Sequence, residues 1–281
     1  MDGVYTDRRS RRRMSEETVK QRIERYRERV KELDFYDCSL WLGKPGDFPL
    51  ARTADTALLS SVVKAHGLCG GLVSHWETVT LSAQDGNRTL LEALPKLPDT
   101  CRIVWAGLPL FPPDSGPLPG VDIPPGRLTG VRLFPRTHGY NLQDWVIGPL
   151  LDWLAQRRLP LFLWHTEVDW AELHVLAKKY PHLPFVVETQ REKVLYHARV
   201  LFSLMKVCEN VYIDSSNLMG AGYTEYVVRE FSAGRLLFGS FFPVNDPAVS
   251  MGMVIDADIG EEDRRLIASG NILHLLEGVK S

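Results

Sequence analysis

Polar side chains with chemical uses recur along this chain at a regular beat, each group standing at the end of a short apolar run. In order they are Ser39 with Trp41; His75, Trp76 and Glu77; Trp105; Arg132, Arg136 and His138; His165 and Glu167; Glu188, Thr189 and Gln190; Asp214, Ser216 and Asn217; and Ser240, Phe241 and Phe242. His165 with Glu188 and Asp214 is the set suited to catalytic proton transfer, because a carboxylate can fix an imidazole's tautomer. The same three could hold one divalent metal, or His165 could be a histidine hydrogen-bonded inside the fold. The Arg132 fork suits a carboxylate or phosphate ligand, or an ion pair with Glu167 or Glu188. Trp41, Trp76, Trp105 and Trp164 would wall an aromatic pocket. Ser39, Trp41, His75, Arg132, Thr189 and Phe241 are the candidates for contacting a substrate there.

Such groups converge only if the elements that carry them end on one face. Eight β-rich apolar runs begin at residues 34, 69, 101, 129, 160, 184, 210 and 235. Helical patterns fall between most of them, over residues 54–66, 87–97, 141–158, 170–180, 191–207 and 224–231, and a last one closes the chain. Alternation of this kind makes a parallel β/α array, and near-continuous apolar runs suit strands buried on both faces. Eight units in about 250 residues predict an α/β fold of (β/α)8 TIM-barrel type, with chemistry at the C-terminal strand ends. An open doubly wound sheet would usually carry a Gly-rich phosphate turn after its first strand, and none is present. The proline-rich segment 108–126 replaces a helix and reads as a loop over the barrel mouth.

Ahead of the barrel, residues 15–33 read as an extra N-terminal helix capped by Ser15, with Val19, Ile23, Tyr26, Val30 and Leu33 on one stripe. That stripe is expected to be buried, against its own barrel or, in a homo-oligomer, against a second copy. The division expected is a basic tail and leading helix over 1–33 and a barrel over 34–281.

The 33 Lys and Arg residues against 35 Asp and Glu give no global case for nucleic acid or a membrane as partner. The cluster Arg8, Arg9, Arg11, Arg12 and Arg13 reads as a solvated tail. No apolar run approaches the ~18 residues of a membrane span. Four cysteines with no C-x-x-C pair, and an arginine-rich start without the apolar core of a secretory signal, lead us to expect a cytoplasmic protein. Cys38, Cys69 and Cys101 read as small buried hydrophobes.

The order of several motifs resembles the amidohydrolase superfamily, specifically its amidohydrolase-2 branch of decarboxylases and lactonase-like enzymes. FYDCSLWLG (35–43) resembles the first strand, whose usual form is D-x-H-x-H-x-G. PLFLWHT resembles the fifth strand, HLPFVVETQ the sixth, NVYIDSSN the seventh and RLLFGSFFP the eighth, usually F-G-S-D-x-P. IASGNILHLL is similar to the terminal helix. The resemblance implies a metal-dependent hydrolase fold, and the departures bear on the metal. Ser39 and Trp41 stand at the two first-strand histidine positions, Thr189 at the sixth-strand histidine and Phe241 at the eighth-strand aspartate. Only His165 keeps a ligand type, and a metal wants three or four.

The expectation is therefore a divergent amidohydrolase-like barrel with a degenerate metal site and no cofactor, a single divalent metal such as zinc being the alternative. It would bind a small, anionic, partly planar molecule, and act as a hydrolase or lyase on a carboxylate or lactone through His165 and a neighbouring carboxylate. The rival readings are a pseudoenzyme that binds a small ligand or a protein partner, and a metal-dependent hydrolase with a rearranged site.

Overall fold

The computed structural model describes residues 19–109, 126–192 and 194–279. The arginine cluster at 8–13, Ser15 and most of the proline-rich segment lie outside the described residues. Eight parallel strands follow one another in chain order around a single sheet: β1 (Tyr36–Leu42), β2 (Gly70–His75), β3 (Cys101–Ala106), β4 (Leu128–Leu133), β5 (Leu161–Trp164), β6 (Phe185–Glu188), β7 (Val211–Asp214) and β8 (Leu236–Leu237). The sheet closes on itself. Cys38 N–H donates to the Phe238 carbonyl at 3.0 Å and Trp41 N–H to the Phe242 carbonyl at 2.9 Å, tying β1 to the segment after β8.

The helices are α1 (Val19–Leu33), α2 (Thr56–Ala65), α3 (Glu77–Thr80), α4 (Ala83–Ala93), α5 (Asp144–Arg157), α6 (Trp170–Lys179), α7 (Ala198–Val207), α8 (Tyr223–Phe231), α9 (Pro247–Asp256), α10 (Glu261–Arg265) and α11 (Asn271–Glu277). Two differences from the sequence reading have local causes. Residues 191, 192 and 197 are bend and turn and 194–196 a short 3-10 segment, so α7 starts only at Ala198. Helix α9, unforeseen, begins where Asp246 accepts from Ala248 N–H as N-cap and Pro247 takes a first-turn position, two start signals that its weak amphipathicity concealed. Among the described residues no helix is long and apolar enough to cross a membrane.

The barrel interior is layered. At its N-terminal end Tyr36, Leu72, Val104, Phe162, Val186 and Leu237 meet Ile272, Leu275 and Leu276 of α11, which plugs the bottom. Gly130 makes room here, since a Cβ on it would lie 2.6 Å from the Phe162 ring. At the C-terminal end Trp41, Trp76, Phe134, Trp164 and Phe241 form a separate aromatic cluster. Between them lies a polar layer: Arg132 has Phe162 5.4 Å to one side and Trp41 4.5 Å to the other.

The leading helix packs less completely than its stripe suggested. Val30 and Leu33 are buried, and Tyr26 is half-buried with its hydroxyl 3.5 Å from the Met251 sulfur on α9. Ile23 is 45% exposed, so the burial of the stripe falls on Tyr26, Val30 and Leu33 and not on Ile23. Arg29 ties the C-terminal half of the helix to Glu261 of α10 at 2.6 Å.

Candidate functional site

Strand direction does the first part of the assembly. β5 ends just before His165, β6 at Glu188 and β7 at Asp214, so parallel strands deliver all three to one face. What happens next separates them. Glu188 points into the barrel, where Arg132 Nε donates to one carboxylate oxygen at 2.7 Å and Nη2 to the other at 2.6 Å. Arg132 Nη1 donates to the Ser74 hydroxyl. Of the two roles open to Arg132 in the sequence, the ion pair with Glu188 is the one the fold uses. Burial pushes the Glu188 carboxyl up to about 7, against the opposing pull of the guanidinium.

Asp214 is held differently. One oxygen accepts from Thr189 N–H at 2.6 Å and from the Thr189 hydroxyl at 2.8 Å; the other accepts from the Ser216 hydroxyl at 2.6 Å. This fastens the end of β6 to the end of β7. Gly239 permits the close approach, because a Cβ there would lie 3.0 Å from that second oxygen. Gln190 links the groups, donating to the Ser39 hydroxyl at 2.5 Å and to Glu188 at 3.0 Å.

Asp37 completes the layer and was not among the sequence candidates. One of its oxygens accepts from Ser39 N–H at 2.9 Å and Ser240 N–H at 3.0 Å, bracing β1 against the segment after β8. The other oxygen has no partner among the described residues, and burial raises the carboxyl to about 6.

His165 turns away from both carboxylates. Its Nε2 lies 3.0 Å from the Glu192 carbonyl, which can only accept, so Nε2 carries the proton. Its Nδ1 then receives a hydrogen bond from His197 Nδ1, 2.7 Å away. Burial depresses the His165 pKa and favours this neutral form. No spacing in the sequence could have paired it with His197, which lies 32 positions on in the loop before α7. The acid–base set of His165, Glu188 and Asp214 is thus gathered at one barrel end but not into one hydrogen-bonded unit.

The aromatic cluster closes over the polar layer. Trp41 lies 5.0 Å from Trp76 and 5.4 Å from Trp164, and Phe241 lies 5.7 Å from Trp76, ring centre to ring centre. Phe48, from the loop after β1, adds a further ring 5.7 Å from Phe241. The indole N–H groups of Trp41, Trp76 and Trp164 have no acceptor among the described residues. Trp105 does not join them. Strand alternation turns Val104 inward, so Trp105 faces the surrounding helices. All nine candidate residues are buried, the least so being His75 at 7%. His75 stands apart at the end of β2, its Nδ1 accepting from Glu77 N–H at 3.2 Å.

Phe241 occupies a left-handed backbone conformation, φ 63°, which Asp and Asn tolerate far better than a bulky ring. The backbone there has a shape that suits an aspartate, and the side chain it carries is a ring.

The metal that the resemblance implies does not fit these residues. Both ring nitrogens of His165 are engaged, Ser39 is hydrogen-bonded to Gln190, Trp41 and Phe241 present rings, and a guanidinium stands among the carboxylates. Among the described residues no group of three His, Cys, Asp or Glu side chains is placed to hold a metal ion.

Comparison with known proteins gives the chain its place. No curated protein matches its sequence. Several solved structures share its fold. Amidohydrolase 2 from Bifidobacterium longum subsp. infantis is 16% identical over 88% of this chain and 100% of its own, with a TM-score of 0.62. A dihydroxybenzoic acid decarboxylase from Polaromonas sp. JS666, with bound manganese and 2-nitroresorcinol, is 14% identical over 86% of this chain and 96% of its own, with a TM-score of 0.64. A putative 2-pyrone-4,6-dicarboxylic acid hydrolase from Pseudomonas putida is 16% identical over 89% of this chain and 99% of its own, with a TM-score of 0.59. The Amidohydrolase family model matches residues 126–277, more than half of the 281. The chain belongs to the amidohydrolase family.

Proposed function

We propose that this chain is a non-catalytic amidohydrolase-family barrel, which acts by binding rather than by turnover. The observation that carries the reading is the Arg132–Glu188 pair: a bidentate ion pair, 1% and 0% exposed, occupies the guanidinium fork, buried in the barrel, that could have held a substrate carboxylate. An incoming carboxylate would have to displace Glu188 from Arg132 and part the tryptophans above it. Separating a buried, hydrogen-bonded ion pair costs about 3–5 kcal/mol when one partner is left behind. The Asp214 carboxylate accepts from the Thr189 N–H and hydroxyl, from Ser216 and, at 3.4 Å, from Gln190, which takes up its roughly four acceptor sites and leaves none for general base work.

One observation favours a second reading, metal-independent acid–base chemistry by His165. Its contact with half-buried His197 joins a buried imidazole to one nearer solvent, an arrangement able to pass a proton. Under this reading His197, not Glu188 or Asp214, is the partner of His165.

The two readings separate in one assay. The purified chain is incubated with dihydroxybenzoate and with 2-pyrone-4,6-dicarboxylate, the compounds that the Polaromonas and Pseudomonas proteins' descriptions suggest, with and without added manganese or zinc. The non-catalytic reading expects no product above background under either condition. Turnover that is lost in both His165→Ala and His197→Ala would establish the second reading and overturn the first.

A further inference from the structure

The outer helices carry an open feature with the opposite character. A groove of about 690 Å³ runs between α7 and α8. Phe202 packs against Tyr226 at 5.1 Å and Tyr223 at 5.9 Å, making an aromatic wall. Arg199, Ser203 and Lys206 line its α7 side. Their spacing of four and then three residues puts them on one helix face, with the two cations about 10 Å apart along the axis.

Two properties of the groove bear on what it takes. Among the described residues neither the Arg199 nor the Lys206 side chain has a hydrogen-bond or ion-pair partner, and no acidic side chain lines the groove. Several buried or half-buried arginines elsewhere are committed: Arg132 to Glu188, Arg235 to the Val211 and Cys208 carbonyls, Arg264 to Glu261. Apolar side chains also stand exposed in and beside the groove. Leu195 and Tyr196, which line it, are 53% and 85% exposed, and Val200 and Val207, next in sequence to the two cations, are exposed as well. Exposed apolar and aromatic side chains beside unpaired cations suit a protein-binding face.

We propose that the α7–α8 groove docks an acidic amphipathic helix of a partner protein, its apolar face against Phe202, Tyr223 and Tyr226, and carboxylates seven residues apart meeting Arg199 and Lys206. Two neighbouring helices offer a trough for a third, and an i, i+7 pair of cations is matched by an i, i+7 pair of acids on a helix laid alongside. A second copy of this chain is disfavoured, since a two-fold pairing centred on the groove would bring cation against cation. The inference holds whether or not the barrel mouth turns over a substrate.

The test uses fluorescence anisotropy with the full chain and three fluorescein-labelled amphipathic peptides of equal length. One carries Leu and Phe on its apolar face and Glu pairs seven residues apart, the second has Lys in place of those Glu, and the third is a scrambled acidic sequence. The expected result is binding of the acidic amphipathic peptide at least about tenfold tighter than of the other two, weakening as salt rises. The double variant Arg199→Glu/Lys206→Glu should reverse the preference, favouring the Lys peptide by a similar factor. Both side chains are exposed, and an unchanged melting temperature would show that the variant is folded. Tyr226→Ser should weaken both amphipathic peptides. Equal affinity for the acidic and Lys peptides, no measurable binding of either, or an unaltered preference in the double variant would each overturn the proposal. A dimer of the wild-type chain that dissociates in the double variant would assign the groove to a second copy instead.

Discussion

The barrel mouth and the α7–α8 groove present the same kinds of side chain in opposite states. In the mouth the guanidinium, both ordinary hydrogen-bonding carboxylates and the strand-end histidine are all partnered, and aromatic rings seal them from solvent. In the groove Phe202, Tyr223 and Tyr226 are half-buried and the cations have no partner among the described residues. A charged side chain is available for recognition only while its own fold leaves it unsatisfied. Position at a strand end in a TIM barrel therefore marks where chemistry can be built, and the hydrogen-bond inventory decides whether it has been.

The contrast predicts different responses to substitution. Arg132→Ala should be the most damaging, because it strands Glu188 in the barrel centre and removes the filler between Phe162 and Trp41. The expected loss is about 3–5 kcal/mol in urea unfolding, whereas Arg199→Ala should stay within about 0.5 kcal/mol. An Arg132→Ala protein as stable as wild type would mean that the mouth is no more committed than the groove.

Asp37 tests the same contrast through pH. Its carboxyl is raised from an ordinary 3.8 to about 6 by burial. A carboxyl whose folded pKa exceeds its unfolded one binds more protons in the folded state. Its contribution to stability is thus fully present below the unfolded value, is lost as pH rises through the folded value, and does not return above it. Two units correspond to about 3 kcal/mol at most. Between pH 4 and pH 7.5, Asp37→Asn should flatten the fall in unfolding free energy by up to that amount. Parallel pH profiles for the two proteins would show that Asp37 is not the buried acid described.

Phe241→Asp should have a smaller net effect. It relieves the left-handed strain at φ 63° but forfeits ring contacts with Trp76 and Phe48 and buries a carboxylate. A loss of about 2 kcal/mol is expected. The variant should gain no zinc in elemental analysis, since Ser39 and Trp41 still occupy the first-strand positions. Smallest of all is Ile23→Asp. With Ile23 already 45% exposed, melting temperature and elution volume should both be unchanged. A shift in elution would point to a second copy on the leading helix.

The fold was legible because strands buried on both faces need unbroken apolar runs, and eight such runs leave few architectures open. Ser39, Trp41, Thr189 and Phe241 were legible as candidates for the same reason, since each falls in or just after one of those apolar runs. Connections between elements were less so. The pairing of Arg132 with Glu188 spans 56 positions and was one of two readings of the arginine, decided only by the side-chain geometry. Trp105 was misplaced because its apolar run does not reveal which parity faces inward. Asp37 looked like part of a motif, while its work is to bind two backbone N–H groups across the barrel seam.

The central claim, that the strand ends of this amidohydrolase-family barrel are filled rather than poised for metal chemistry, is tested most directly by metal titration. The protein is equilibrated with zinc or manganese, passed over a desalting column and measured for metal per chain, beside His165→Ala. The account predicts less than about 0.1 equivalent for both proteins. About one tightly held ion per wild-type chain, lost in His165→Ala, would contradict it.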